Sequence, residues 1–273
     1  MKKTLEKLLL GVAIVSGTMI GCSNEPNYKH YIPNSFNIRM TMESTTEKGV
    51  KEYDIGSSGT AFIFYKDAKD IYFVTNKHVV AYDMRGQEKT REGNSIDSII
   101  YSIGEDRKDE NVLDDPKLEL MTTDETSDLA LLKYTITDGV NPFEDIDYVT
   151  TLGKPDIGDD VFFIGYGMDL PKLIEYGKIS SESSFKEKFG VYYLLNTDPL
   201  PGVSGSPVYE YSNGMVDLVG VVAASSDAWN YTIVLDIKQA EGLLWDVLAD
   251  PAKEKENLKK QAGEKNYNLL KIK

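Results

Sequence analysis

From about residue 36 the chain is written in short apolar runs rich in Val, Ile, Phe and Tyr, separated by Gly, Asp, Asn and Ser. Thr60-Ala61-Phe62-Ile63-Phe64-Tyr65, Ile71-Tyr72-Phe73-Val74-Thr75 and Leu129-Ala130-Leu131-Leu132-Lys133-Tyr134 are three of them. Asp160-Val161-Phe162-Phe163-Ile164-Gly165 and Val216-Asp217-Leu218-Val219-Gly220-Val221-Val222 are two more. Their length and their β-branched and aromatic content predict strands. Many short strands with turn signals between them predict a β-barrel or sandwich. The polar stretches Tyr82–Asn94 and Gly104–Pro116 read as surface loops.

Helical periodicity appears late. The apolar spacing over 237–249 fits one amphipathic helix, and Pro251 then interrupts it. The segment 250–273 reads as a partly helical tail with Leu258, Ala262, Leu269 and Leu270 as a weak stripe. At the other end, Lys2 and Lys3 precede an apolar run of about a dozen residues that closes on Gly21-Cys22. That pattern describes a secretory signal, and it is shorter than the ~20 residues a membrane span needs. Residues 22–35 are polar with two prolines and read as a tether.

Composition narrows the chemistry. The chain has 273 residues, a formal net charge of -14, one cysteine and two histidines. The tail from 251 carries seven Lys against three Glu, so the acidity belongs to the body. An acidic body argues against a nucleic-acid partner, which needs clustered Lys and Arg. A single Cys excludes an intrachain disulfide or a Cys-based zinc cluster. Any histidine chemistry must use His30, in the tether, or His78, directly after a strand.

Gly202-Val203-Ser204-Gly205-Ser206-Pro207 is the most informative stretch. A serine between glycines, in a tight turn before a strand, suits an exposed nucleophile. The same turn lets the N–H groups of Gly202 and Ser204 point at one spot and stabilise an oxyanion. Such turns are also common without chemistry. His78 could equally be a half-buried, hydrogen-bonded side chain. Asp128, the last polar residue before Leu129-Ala130-Leu131-Leu132, is either a turn residue or the acid that orients His78, with Asp124 the fallback.

Together these segments resemble the bacterial trypsin-like serine peptidases, in the style of the HtrA proteases. The likeness rests on Gly59-Thr60-Ala61-Phe62-Ile63, Val74-Thr75-Asn76-Lys77-His78-Val79, and Ser127-Asp128-Leu129-Ala130-Leu131-Leu132. Further on it rests on Leu152–Gly167, Gly177-Lys178-Ile179-Ser180, Asn196-Thr197-Asp198 and Pro201–Pro207. The order His, Asp, Ser is that of chymotrypsin. The resemblance implies an all-β, chymotrypsin-like fold of two six-stranded Greek-key β-barrels with a C-terminal helix. It covers about 36–245, with the first barrel at about 36–140, the second at about 147–236 and the helix at 237–249. Too little chain follows for a PDZ domain.

The resemblance also implies a function. Ser204 would attack a peptide carbonyl, His78 would move the proton, Asp128 would orient His78, and Gly202 and Ser204 would form the oxyanion hole. No metal or cofactor is implied. The alternatives are a non-catalytic binding lipoprotein on the same fold and an esterase. Val203 stands where the family commonly has Asn or Asp, and an apolar residue cannot make the ion pair that activates digestive zymogens. Asp198 is either a base-recognising carboxylate in the specificity pocket or part of a structural Thr-Asp turn, the latter favoured. Ala223, Ala224 and Ser225 would then line a pocket open to an apolar side chain. Met19-Ile20-Gly21-Cys22 resembles a lipobox, which implies a lipid on Cys22 and a place on the membrane of the bacterial cell envelope. The implied partners are protein or peptide substrates and the membrane.

Overall fold

The computed structural model describes residues 34–80, 96–104, 115–124, 126–167, 171–185, 190–197, 200–212, 215–226, 231–253 and 256. Cys22, His30, Asp198 and nearly all of the basic tail lie outside them, as do most of the two long polar loops.

The first six strands are β1 (Ser35–Thr45), β2 (Lys51–Lys66), β3 (Asp70–Asn76), β4 (Ile96–Gly104), β5 (Lys117–Thr123) and β6 (Leu129–Thr135). They close into an antiparallel barrel in the order β1-β2-β3-β6-β5-β4. The second six are β7 (Asp160–Gly165), β8 (Leu173–Phe185), β9 (Gly190–Leu195), β10 (Pro207–Ser212), β11 (Met215–Ser226) and β12 (Tyr231–Asp236). They close in the order β10-β11-β12-β9-β8-β7. Two helices are described: a single turn α1 (Lys77–Val80) after β3, and α2 (Ile237–Ala249) after β12. This is the double Greek-key barrel of the chymotrypsin-like fold, with a C-terminal helix.

The unbroken apolar runs have a physical cause. Along β3, Ile71 and Phe73 fill the first barrel, while Tyr72 and Val74 face a separate layer between the barrels and α2. A strand covered on both faces keeps no polar side, so alternation disappears from its sequence. The layer between the barrels joins Phe62, Val74 and Leu131 of the first to Phe162, Tyr209 and Leu235 of the second. Helix α2 adds Ile237, Ala240, Leu244 and Val247 to it, a 3-4-3 spacing on one face. The Asp236 side chain caps its first turn by accepting the Lys238 N–H at 2.9 Å.

Among the described residues, β1 already starts at Ser35. Asn34 and Ser35, read as the end of the tether, are buried. Asn34 brackets Ile63 with two hydrogen bonds to its backbone, and Ser35 Oγ donates to the Ile164 carbonyl of the second barrel at 2.8 Å. Two polar residues can be buried here because each finds a backbone partner.

Candidate active site

β3 and β6 pair antiparallel, with Asn76 opposite Leu129. The chain leaving β3 therefore meets the chain entering β6 at the same end of the barrel. This register brings His78, two residues past β3, to Asp128, one residue before β6. His78 Nδ1 lies 2.7 Å from Asp128 Oδ2, and the His78 backbone N–H donates to Asp128 Oδ1 at 2.9 Å. The Asp128 carbonyl accepts from the Lys77 N–H at 2.8 Å and from Asn76 Nδ2 at 3.2 Å. Asp128 is thus held through both its side chain and its backbone.

It is held in an unusual conformation. Asp128 has φ +52°, in the left-handed region that non-glycine residues seldom adopt. The preceding turn is closed by the other acid considered for this role. Asp124 accepts Thr126 N–H and Thr126 Oγ1–H on Oδ1, both at 2.8 Å, and Ser127 Oγ–H on Oδ2 at 2.5 Å. Its hydrogen bonds run to the turn and not to His78. Burial opposes its charge, but the bonds from Ser127 and Thr126 more than offset this and hold its carboxyl below the usual carboxylate value.

Ser204 reaches the same region from the second barrel. The contact point is Gly59 on β2. A Cβ there would lie 2.8 Å from a methyl of Val79, the residue after His78, and 3.0 Å from the Ser204 carbonyl oxygen. That carbonyl accepts the Thr60 N–H at 2.8 Å. The histidine-bearing turn and the serine loop therefore flank one glycine, too closely for any side chain. Ser204 Oγ donates to the Ala223 carbonyl at 3.4 Å, a long contact easily exchanged for another.

The loop around Ser204 is shaped by two glycines at positive φ, Gly202 at +99° and Gly205 at +87°. A Cβ on Gly205 would lie 1.9 Å from the Thr60 carbonyl oxygen, so only glycine fits. The N–H groups of Val203, Gly205 and Ser206 bond to the carbonyls of Leu200, Val222 and Val203. Those of Gly202 and Ser204 have no backbone acceptor among the described residues.

Val203 is 3% exposed and packs into the core of the second barrel with Phe163, Tyr193 and Val222. The apolar residue before the serine therefore anchors the loop by packing. Ala223 is buried on β11, while Ala224 and Ser225 follow it on the strand.

A trypsin-like peptidase domain model matches residues 59–221, from the glycine between the two loops to β11. The chain belongs to the trypsin-like peptidase domain family. No curated protein matches it in sequence. Among solved structures, this trypsin-like chain is similar to the HtrA-type protease AlgW with a decapeptide, at 18% identity and TM-score 0.59, covering 84% of this chain and 69% of that one. AlgW with a tripeptide matches at 20% identity and TM-score 0.54, covering 81% of this chain and 62% of that one. The active form of the Rv3671c protease from M. tuberculosis matches at 18% identity and TM-score 0.52, covering 80% and 82%. The chain thus spans about two thirds of the length of the AlgW chains.

Proposed function

We propose that this trypsin-like chain is a serine endopeptidase working through Ser204, His78 and Asp128. The observation that carries the reading is the two-point hold of Asp128 on His78, at 2.7 Å to Nδ1 and 2.9 Å from the backbone N–H. A carboxylate on Nδ1 keeps that nitrogen protonated and turns the basic Nε2 outward.

In the proposed reaction Ser204 Oγ attacks the peptide carbonyl while His78 Nε2 takes its proton. The oxygen of the tetrahedral intermediate accepts the N–H groups of Gly202 and Ser204, which have no backbone acceptor among the described residues. His78, now charged and stabilised by Asp128, returns the proton to the leaving amine. Water then repeats the cycle on the acyl-enzyme. The Ser204 hydroxyl must first leave the Ala223 carbonyl, and catalytic bonds that tighten only when substrate binds are common.

Peptides are the proposed substrates, a class supported by the family match and by the peptides held in the AlgW structures. At the cleaved position an apolar side chain is the proposed preference, on the reading that Ala223, Ala224 and Ser225 line the pocket. The sequence before residue 23 supports lipidation on Cys22, release of residues 1–21, and tethering to the membrane of the cell envelope.

A fluorophosphonate probe tests the chemistry. It is expected to label the wild type and not Ser204→Ala. Equal labelling of the two, or none of the wild type, overturns the reading and leaves a non-catalytic binding protein. Cleavage of a peptide library, with an ester series beside it, then separates peptidase from esterase and reads the preference. Mass spectrometry of the mature N-terminus tests the tether, which fails if Cys22 is absent or carries no lipid.

A further inference from the structure

We propose that Asp124 is a positioning residue for the active site, acting through the turn that presents Asp128; this rests on the serine-peptidase reading above.

Asp128 must leave the turn at φ +52° to place its carboxylate on His78. A non-glycine residue stays in that region only where its surroundings over-determine it. On its C-terminal side the determinants are the bonds from Lys77 and Asn76 to its carbonyl. On its N-terminal side they converge on a single group, the Asp124 carboxylate. It takes three hydrogen bonds from the two residues immediately before Asp128. Ser127, one of the two, is fully buried, so its hydroxyl has little freedom to find another acceptor. Asp124 N–H also donates to the Leu129 carbonyl at 2.9 Å, which closes the loop around Asp128 from the far side.

All three side-chain bonds are donated to Asp124, so the group must be an acceptor at both oxygens. An ionised carboxylate meets that requirement. Asparagine keeps one accepting oxygen for Thr126 and turns a donor towards Ser127. Alanine keeps none. The two substitutions therefore grade the constraint on Asp128 without touching His78, Ser204 or the substrate.

The test uses the full chain with Asp124→Ala, Asp124→Asn and the control Asp128→Asn. Three readouts are taken: kcat and KM on a peptide cleaved by the wild type, thermal melting, and the low-field proton resonance of the His78 Nδ1–H bond. Asp124→Ala is expected to lose about a hundredfold in kcat, the cost of a small misplacement, with KM within about twofold. Its low-field resonance moves upfield or vanishes. Asp124→Asn is expected to lose only about tenfold, the scale of one lost hydrogen bond. Wild-type kcat and an unmoved resonance in a folded Asp124→Ala overturn the proposal. If the alanine variant does not fold, Asp124→Asn decides: a folded protein with wild-type kcat and resonance overturns it as well. If the wild type itself shows no Ser204-dependent turnover, the serine-peptidase reading is what has failed. The resonance still reports whether Asp124 controls the Asp128–His78 geometry.

Discussion

His78 and Asp128 are joined twice, by Nδ1 to Oδ2 at 2.7 Å and by the His78 N–H to Oδ1 at 2.9 Å. One contact fixes the ring and the other fixes the backbone that carries it, so the carboxylate orients the imidazole against a defined frame. An amide at position 128 can preserve the shape of this pair but not its demand for a donor on Nδ1. Asp128→Asn is therefore expected to fold normally and to lose about 10⁴ in kcat at neutral pH by favouring the wrong tautomer. Steady-state kinetics beside a melting curve check this. A loss below tenfold contradicts the assigned role.

The serine loop makes a sharper demand on its backbone. Gly205 combines φ +87° with a site where a Cβ would sit 1.9 Å from a backbone carbonyl oxygen. Backbone cannot move aside as a flexible side chain can. Gly205→Ala is expected to cost more than about 3 kcal/mol, enough to lower Tm by roughly 10 °C. Gly49 is the control: its φ is +76°, but nothing lies within 4 Å of an added Cβ. Gly49→Ala should carry only the conformational penalty of about 1 kcal/mol. Similar melting points for the two variants would show that the contact with Thr60 is not restrictive.

These elements differ in how far they could be read from the sequence. The β architecture was legible because strands such as β3 and β6 are covered on both faces and so read as continuous apolar runs, while the division into two barrels came from the resemblance to trypsin-like peptidases. The helix over 237–249 was legible from the spacing of Ile237, Ala240, Leu244 and Val247. Strands with an exposed flank, such as the Lys51–Ser58 part of β2, carry too few apolar residues to stand out. In the site, His78 and Asp128 could be picked out by their places at strand ends. What brings them together is the Asn76–Leu129 register, a long-range pairing that local sequence does not encode. Asp124 stood as the fallback to Asp128 because both precede the same strand. Only the direction of their hydrogen bonds separates them. The seat of Val203 was hidden for a similar reason, since a lone Val in a glycine turn gives no sign that it enters the barrel core.

That seat leads to a prediction about the loop. Val203 is 3% exposed among apolar neighbours, so its side chain ties the Ser204 turn to the second barrel. Val203→Ala is expected to cost about 2 kcal/mol in chemical denaturation, from lost burial and an incompletely closed cavity. Val203→Asp, which restores a residue type common in the family, should cost more, because it buries a carboxylate among apolar groups. The activity of both should fall with the order of the loop. A Val203→Asp protein as stable as the wild type would mean that the aspartate finds a partner, as it does in zymogen-type relatives.

A pH-sensitive pair of carboxylates lies on the second barrel, away from the site. Glu210 on β10 stands directly opposite Asp217 on β11. Burial first, then the charges of Asp159, Asp217 and Asp156, raise its carboxyl above the usual value of 4.5. Folding therefore works against the ionised form. Between the unfolded and the folded pKa the native state holds more proton than the unfolded one, so stability falls as pH rises through that window. The stabilising contribution is complete below 4.5 and is lost once pH passes the raised folded value. Glu210→Gln removes the charge and its repulsion from Asp217 together. The variant is expected to melt higher than the wild type at pH 7, with the difference shrinking towards zero near pH 4. Melting curves across that range check both the sign and the window. A wild type that gains relative stability over Glu210→Gln as pH rises would show that the carboxylate has a favourable partner in the folded protein.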